Sequence, residues 1–361
     1  MKRRPTPGTR AAAIALGLAL PLTAAADPIE APLPPELPWE GRSESLIVDA
    51  DHRWVTPAEK AGLNQTPRFD ESMQWLESLV EASPKLHWTV IGTSAQGRAI
   101  RMIIADSGGA ETPADLDRAD KPVLLAHAGI HSGEIDGKDA GMMLLRDMTV
   151  TGKRDELLEA CTLLFIPILS PDGHERFSAH SRINQRGPAQ MGWRTNARNL
   201  NLNRDFAKLE TAELQALVDV VEAWRPDLYV DLHVTNGADY QYDITYGWNG
   251  EHAWSPAIAG WLNETFRPAV DAGLEDQGHV PGPLVFTMNG RDMSAGMPEW
   301  TASPRYSNGW GDARHLPTIL VENHSLKPYR QRVLGTYVFM AEAMQVLGEQ
   351  YDALRAAVAT D

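Results

Sequence analysis

Short apolar runs alternating with amphipathic helical segments are the feature that most restricts how this 361-residue chain can fold. The runs at 123–127, 162–169 and 228–232 are bounded by turn residues, which is typical of parallel strands covered on both faces. Helical patterns at 137–148 and 209–224 follow such runs. This order predicts the α/β class, as a three-layer α/β/α sandwich with a mixed, mostly parallel central sheet.

Further predicted elements flank this alternation on both sides. They are a helix at 69–82, a hairpin with strands at 87–91 and 98–105, a helix at 255–272, a strand at 318–321 and one long closing helix at 333–358.

The first residues predict an export signal. Three basic residues within the first four positions precede an apolar run from Ala11 to Leu22, which is too short to span a bilayer comfortably. Three alanines before Asp27 suit a signal-cleavage site. We therefore predict a signal peptide at 1–26 and a periplasmic or extracellular location.

The mature chain is expected to have one domain. The proline-rich residues 27–67 predict an extended N-terminal arm, and 68–361 predict a single domain. The formal net charge of −15 argues against nucleic acid as a partner, because phosphate binding requires basic surface. Cys161 is the only cysteine and lies beside an apolar run, so we expect a buried thiol. No membrane contact is expected after signal cleavage, and the sequence leaves the oligomeric state open.

Three segments leave predicted strands with residues that bind metals. His131 and Glu134 follow the first strand, His233 follows the strand at 228–232, and Glu322 follows the strand at 318–321. Open α/β sheets place their sites at the carboxyl ends of strands, so these side chains are expected to converge. Two imidazoles and a carboxylate are zinc ligands, and three protein ligands leave one position open, as in catalytic sites. The sequence predicts a zinc site with Glu322 as a base beside it.

A polar segment between these ligands carries Arg194, Asn203 and Arg204. A guanidinium is the natural fork for a carboxylate, and an asparagine amide adds a neutral donor. A solvated loop with ordinary surface arginines is the alternative interpretation.

Taken together, these motifs resemble the zinc carboxypeptidase (M14) family from about Leu86 to Leu347. The matching motifs are Gly97-Arg98, His131 with Glu134, Ile166-Pro167, Pro171-Asp172-Gly173, Trp193-Arg194, Leu202-Asn203-Arg204, His233 and Glu322. Residues 319–328 resemble a bacterial branch of that family.

The resemblance implies a secreted zinc metallocarboxypeptidase that hydrolyses the C-terminal peptide bond of peptides, with 68–361 as its catalytic domain. One Zn²⁺ per chain would be held by His131, Glu134 and His233. The implied roles of the other residues are general base for Glu322, oxyanion stabiliser for Arg194, substrate-carboxylate binding for Asn203 and Arg204, and closure over the substrate for Tyr306.

Several points stay open. Asn201 stands where the family often has an aspartate that orients a zinc histidine, so Asp139 or Asp231 would have to serve instead. Asp312 or Arg314 would set the preference for the terminal side chain. The alternative functions are a zinc-dependent deacylase or amidase, acting on N-acyl amino acids or cell-wall peptides, and a catalytically inactive secreted binding protein on the same fold.

Overall fold

The computed structural model describes residues 33–119, 121–289 and 292–361. The predicted signal peptide and the first part of the predicted arm, 27–32, lie outside the described residues.

The strands of the described residues form a single central sheet. They are β1 (Leu86–Thr93), β2 (Ala99–Ala105), β3 (Val123–Ala128), β4 (Thr162–Ile166), β5 (Leu228–Val234), β6 (Ile244–Gly247), β7 (Pro281–Pro283) and β8 (Thr318–Asn323). Their spatial order is β1-β2-β4-β3-β5-β8-β6-β7. The central strands β4, β3, β5 and β8 run parallel to one another. Antiparallel pairs join β1 to β2, β2 to β4 and β6 to β8.

Helices cover both faces of this sheet. The α-helices of the described residues are α1 (Pro57–Lys60), α2 (Phe69–Ala82), α3 (Pro113–Ala119), α4 (Asp136–Thr149), α5 (Asp155–Ala160), α6 (Pro171–His174), α7 (Ala212–Trp224), α8 (Pro256–Trp261), α9 (Arg267–Asp276), α10 (Ser307–Asp312), α11 (Tyr329–Glu349) and α12 (Tyr351–Thr360). Short 3-10 turns occur at Arg42–Leu46, Leu202–Arg204 and Met293–Ala295.

The two faces of the sheet contribute to separate hydrophobic clusters. Leu124 and Ala126 of β3 pack into the cluster that contains α4 and α11, whereas Val123 and Leu125 pack into the cluster that contains α7. Because side chains alternate along a strand, the apolar residues of a buried strand can serve both clusters. The predicted three-layer sandwich with a mixed, mostly parallel sheet is confirmed.

Two predicted helices differ from the structure. The closing helix at 333–358 is two helices, α11 and α12, separated at Gln350 (φ −117°, ψ 20°). The helix at 255–272 instead runs through α8, a π-helical turn at Leu262–Phe266 and α9. Pro268 at the start of α9 has no N–H to continue the α-helical hydrogen bonds, which fits the change of pitch there.

Residues 33–67 pack against the rest of the described chain through buried polar contacts. Glu59 of α1 receives two hydrogen bonds, of 2.8 and 2.6 Å, from the Arg146 guanidinium on α4, and both side chains are buried. The Thr56 hydroxyl accepts from the Glu59 N–H while the Glu59 carboxylate accepts from Thr56, a reciprocal cap of α1.

The helices of the described residues were compared with what a bilayer span requires. None of them has both the length and the apolar character needed to cross a membrane.

Candidate metal centre

The three predicted metal ligands converge at the carboxyl ends of β3 and β5. His131 and Glu134 share a tight turn after β3, in which the Glu134 N–H donates to the His131 carbonyl at 2.8 Å. His233 stands near the end of β5, beside β3 in the sheet. One ligand atom from each side chain lies within 4.8 Å of the others, and all three residues are buried. A shared ion can therefore touch all three.

The donor atoms of this group fit a metal ion. Among the described residues, His131 Nδ1 is buried and has no hydrogen-bond partner. Glu134 Oε2 lies 2.9 Å from His233 Nδ1, and the two imidazole rings are 5.0 Å apart between centroids. Buried polar atoms normally have partners, and a cation between these donors would supply the one that His131 lacks. Two histidines and one glutamate are a donor set that zinc accepts.

Burial and nearby charges keep His131 neutral and Glu134 ionised, and these are the forms that bind a metal ion. Burial lowers the pKa of His131 well below its ordinary value, so the ring stays neutral. Burial alone would raise the pKa of Glu134, but the Arg182 charge and the hydrogen bond and charge of His233 hold it well below the ordinary range. For His233, the Asp231 and Glu134 carboxylates overcome burial and raise the pKa to about 10. A metal ion at this site would displace a proton from His233.

Of the two acids considered for orienting a candidate ligand histidine, Asp231 is the one that contacts His233. Its Oδ2 lies 2.8 Å from His233 Nε2, and both side chains are buried. The other candidate, Asp139, accepts hydrogen bonds from Thr66 and Tyr329 instead. A carboxylate on the second nitrogen of a ligand histidine fixes its orientation and raises its basicity. Asp231 is placed to orient His233 in this way, whereas Asn201 has no negative charge with which to raise the basicity of a histidine.

Glu322 lies directly beside the ligands. It pairs with His233 in the parallel register of β5 and β8. Burial, together with the negative charge of Glu134, raises the pKa of Glu322 to about 7 although the His233 charge opposes the shift. Its Oε2 has no hydrogen-bond partner among the described residues. A carboxyl group with a pKa near neutrality can accept and return a proton at physiological pH.

Arg182 is a site residue that the sequence analysis missed. Its Nη1 donates to Glu134 Oε1 at 2.5 Å, and its side chain is only 8% exposed. The arginine stem crosses Gly133, where an added methyl group would lie 2.7 Å from Arg182 Cδ. No motif or strand end marks position 182, so only the spatial contact with a ligand identifies it.

The structure places Arg194, Asn203, Arg204 and Tyr306 around the same space. Arg194 Nη1 lies 3.0 Å from Glu134 Oε1, and its side chain is 40% exposed. The Arg204 guanidinium lies 4.3 Å from the centroid of the Tyr306 ring. Asn203 is more enclosed, with its amide nitrogen 3.2 Å from His233 Nε2 and its amide oxygen accepting weakly from the backbone of α10.

All eight predicted site residues line one cavity of about 410 Å³. Apolar and aromatic residues that the sequence did not indicate complete its wall, among them Leu284, Phe286, Trp300 and Leu320. Neither residue proposed to set the side-chain preference lines it. Asp312 accepts a hydrogen bond from Asn249, and Arg314 pairs with Glu222 at the surface.

Comparisons with known proteins agree with this geometry. A family model described as zinc carboxypeptidase matches residues 72–272. No curated protein matches the sequence. Among solved structures, a metallo-carboxypeptidase from Burkholderia cenocepacia is 15% identical, with 77% of this chain and 69% of that chain covered and a TM-score of 0.56.

Two further structures are similar to the same degree. Carboxypeptidase A from Helicoverpa armigera is 17% identical, with coverage of 82% and 74% and a TM-score of 0.55. A metallo-carboxypeptidase from Pseudomonas aeruginosa is also 17% identical, with coverage of 80% and 70% and a TM-score of 0.54. At these identities the structural matches show the shared fold.

Proposed function

Because the chain belongs to the zinc carboxypeptidase family, we propose that it is an exported zinc metallocarboxypeptidase that removes the last residue of peptides with Glu322 as general base. The observation that carries the proposal is the convergence of His131, Glu134 and His233 beside Glu322, in a cavity that three arginines also line.

The residues around the cavity suit peptide hydrolysis. Zinc bound by His131, Glu134 and His233 would supply Lewis acidity toward water and the scissile carbonyl. Glu322 would take the proton of the attacking water and deliver it to the leaving amine. Arg194 has only one contact to the ligands and is well exposed, so it is free to turn and donate to the developing oxyanion.

Other residues of the same cavity suit the terminal residue of a substrate. Arg204, held over the Tyr306 ring, offers its guanidinium to a terminal carboxylate, which restricts cleavage to the last peptide bond. The enclosed amide of Asn203 would assist from beside His233. The Tyr306 ring is half-exposed at the cavity edge and would close over the bound residue.

The cavity wall favours an apolar or aromatic terminal side chain. The Trp300 ring lies 5.5 Å from Phe286 and 4.5 Å from Tyr306 between centroids, and Leu284 and Leu320 also line the wall. The carboxylate of Glu299 is exposed at the rim. A side chain that fills such a wall gains about 1.5–3 kcal/mol from burial, which a charged side chain would forfeit.

A substrate panel tests the proposal. Blocked dipeptides ending in Phe, Leu, Lys or Glu would be compared with the same compounds amidated at the C-terminus and with simple N-acyl amino acids. We expect hydrolysis of the free acids, fastest for Phe and Leu, and almost none of the amides. Equal rates for acids and amides would contradict the role of Arg204. Faster cleavage of N-acyl amino acids than of peptides would favour the deacylase.

A matched pair of variants tests Glu322 and the inactive-binder alternative. Glu322→Gln should keep its zinc, measured by metal analysis, and lose at least about 100-fold in kcat, as for loss of a general base. Glu299→Gln removes an exposed rim carboxylate and should retain near-normal kcat. If wild type and Glu322→Gln both bind zinc and neither hydrolyses any peptide, the binding-protein alternative is favoured. Export is tested by sequencing the N-terminus of the mature protein, which we expect to begin at Asp27.

A further inference from the structure

We propose that Arg182 is a positioning residue that fixes Glu134 in its metal-binding orientation and joins the two segments that carry the ligands. This inference rests on the proposed function, because it assumes that Glu134 binds zinc. It concerns a residue outside every motif by which the sequence resembles its family.

The Arg182 guanidinium is held on every side. Its Nε donates to Gln185 Oε1 at 2.5 Å, and its Nη1 donates to Glu134 Oε1 at 2.5 Å. Its Nη2 donates to the carbonyls of Val234 and Thr235 at 3.1 and 2.8 Å. These carbonyls immediately follow His233, so the same planar group contacts one ligand directly and the backbone beside another. Such a fork fixes direction as well as distance.

Gln185 closes the network on the other side of the ligand turn. Its Nε2 donates to the carbonyl of Gly133 at 3.0 Å, next to Glu134. Gln185 therefore holds the backbone of the turn that carries Glu134, and Arg182 holds the Glu134 carboxylate. These two side chains are also hydrogen-bonded to each other. Both are buried, so water does not compete for these contacts.

Arg182 and Arg194 contact the same oxygen of Glu134 but differ in how firmly they are held. Both guanidiniums contact Glu134 Oε1, but Arg194 is 40% exposed and makes no other side-chain hydrogen bond that the structure describes. Arg182 is enclosed and has four partners. Arg194 can thus leave Glu134 for a substrate, whereas Arg182 stays.

The Arg182 guanidinium does not contact Glu134 Oε2, which accepts a hydrogen bond from the Val234 N–H at 3.1 Å. Arg182 binds Oε1, while Oε2 is the oxygen that lies 2.9 Å from His233 Nδ1. The positive charge of Arg182 would also repel a bound metal ion. Orienting Glu134 and repelling the ion therefore have opposite effects on zinc affinity. We infer that holding the ligand dominates, because the contact orients the carboxylate without covering the oxygen that faces the other ligand.

Zinc affinity of the purified metal-free protein, measured by competition with a chromophoric chelator, tests this inference. We expect Arg182→Gln to weaken zinc binding by about 10–100-fold, the range for partners that orient metal ligands. Arg182→Lys retains the charge but not the fork, and should show an intermediate loss. Circular dichroism of the metal-free forms establishes that each variant is folded at the assay temperature.

Two arginine variants serve as controls. Arg186→Gln alters the same segment, where the guanidinium contacts the Leu326 carbonyl and no ligand, and should bind zinc as wild type does. Arg194→Gln removes the other contact to Oε1 and should change zinc affinity by less than about threefold, because the Arg194 side chain is 40% exposed.

The outcomes separate this inference from the proposed function. Wild type that binds no zinc would contradict the proposed function itself. If wild type binds zinc and folded Arg182→Gln binds it equally or more tightly, only the role of Arg182 is overturned. Should Arg182→Gln not fold, Arg182→Lys decides the matter, since wild-type affinity in that variant would show that the fork is unnecessary.

Discussion

Replacing Glu322 by glutamine is expected to stabilise the metal-free protein at neutral and alkaline pH. The folded state raises the pKa of this carboxyl from 4.5 to about 7, chiefly through burial. Below pH 4.5 the group is protonated in both the folded and unfolded states, so its ionisation has no effect there. Between 4.5 and about 7 the unfolded chain loses the proton first, and stability falls as the pH rises.

The size of the effect follows from that interval. Each unit of pKa difference corresponds to about 1.4 kcal/mol. The rise from 4.5 to about 7 therefore lowers the free energy of unfolding by about 3 kcal/mol above pH 7. Because Glu322 borders the cavity and is partly exposed, we expect about 1–3 kcal/mol. The advantage of Glu322→Gln in the free energy of unfolding should therefore grow from pH 5 to pH 8.

Urea unfolding in the presence of a chelator measures this difference. Glu299→Gln is the control, because the exposed rim carboxylate should give a difference from wild type that does not vary with pH. An advantage of Glu322→Gln that stays constant or shrinks between pH 5 and pH 8 would refute the reasoning. The carboxyl group would then not be held in a site that disfavours its charge.

Three other changes have expected outcomes. Arg194→Gln should lower kcat by about 10²–10³-fold with a smaller effect on KM, because its donor is needed chiefly in the transition state; equal losses in zinc-binding affinity would argue against this. Arg146→Met leaves the buried Glu59 carboxylate without its cation and should cost about 3–5 kcal/mol in urea unfolding, whereas a cost below 1 kcal/mol would mean the pair is dispensable. Gly141→Ala places a methyl group 2.2 Å from the Phe165 ring and should cost about 1–3 kcal/mol, seen as a lower Tm, and an unchanged Tm would contradict that packing.

The sequence was sufficient for the family, the central strands and eight of the residues that line the candidate site. Strands β3, β4 and β5 are mainly apolar, and His131, Glu134, His233 and Glu322 each stand at or just after the carboxyl end of β3, β5 or β8. These features are local, so a single sequence displays them. The family and fold are confirmed, while the roles of the individual residues stay predictions for the experiments above.

Features that depend on contacts between distant residues were missed or left open. Arg182 meets Glu134 across 48 positions and stands in no recognisable pattern. Alternation along the strand at 228–232 places Asp231 and His233 on one face, but the choice between Asp139 and Asp231 required the contact itself. The short strands β6 and β7 lack enough residues to show alternation. The break at Gln350 also escaped notice, since both flanking helices carry apolar residues at helical spacing.

Gly133 and Arg182 fill one volume between them, which couples the two positions over evolutionary time. A side chain at 133 would also lie 2.9 Å from the Gly192 carbonyl, so losing the long stem at 182 would not by itself make room for it. Relatives should therefore keep glycine at 133 wherever they keep arginine at 182, whereas arginine could be lost while the glycine stays. In relatives without the arginine, another residue would have to hold the glutamate, and its identity would mark a separate branch of descent.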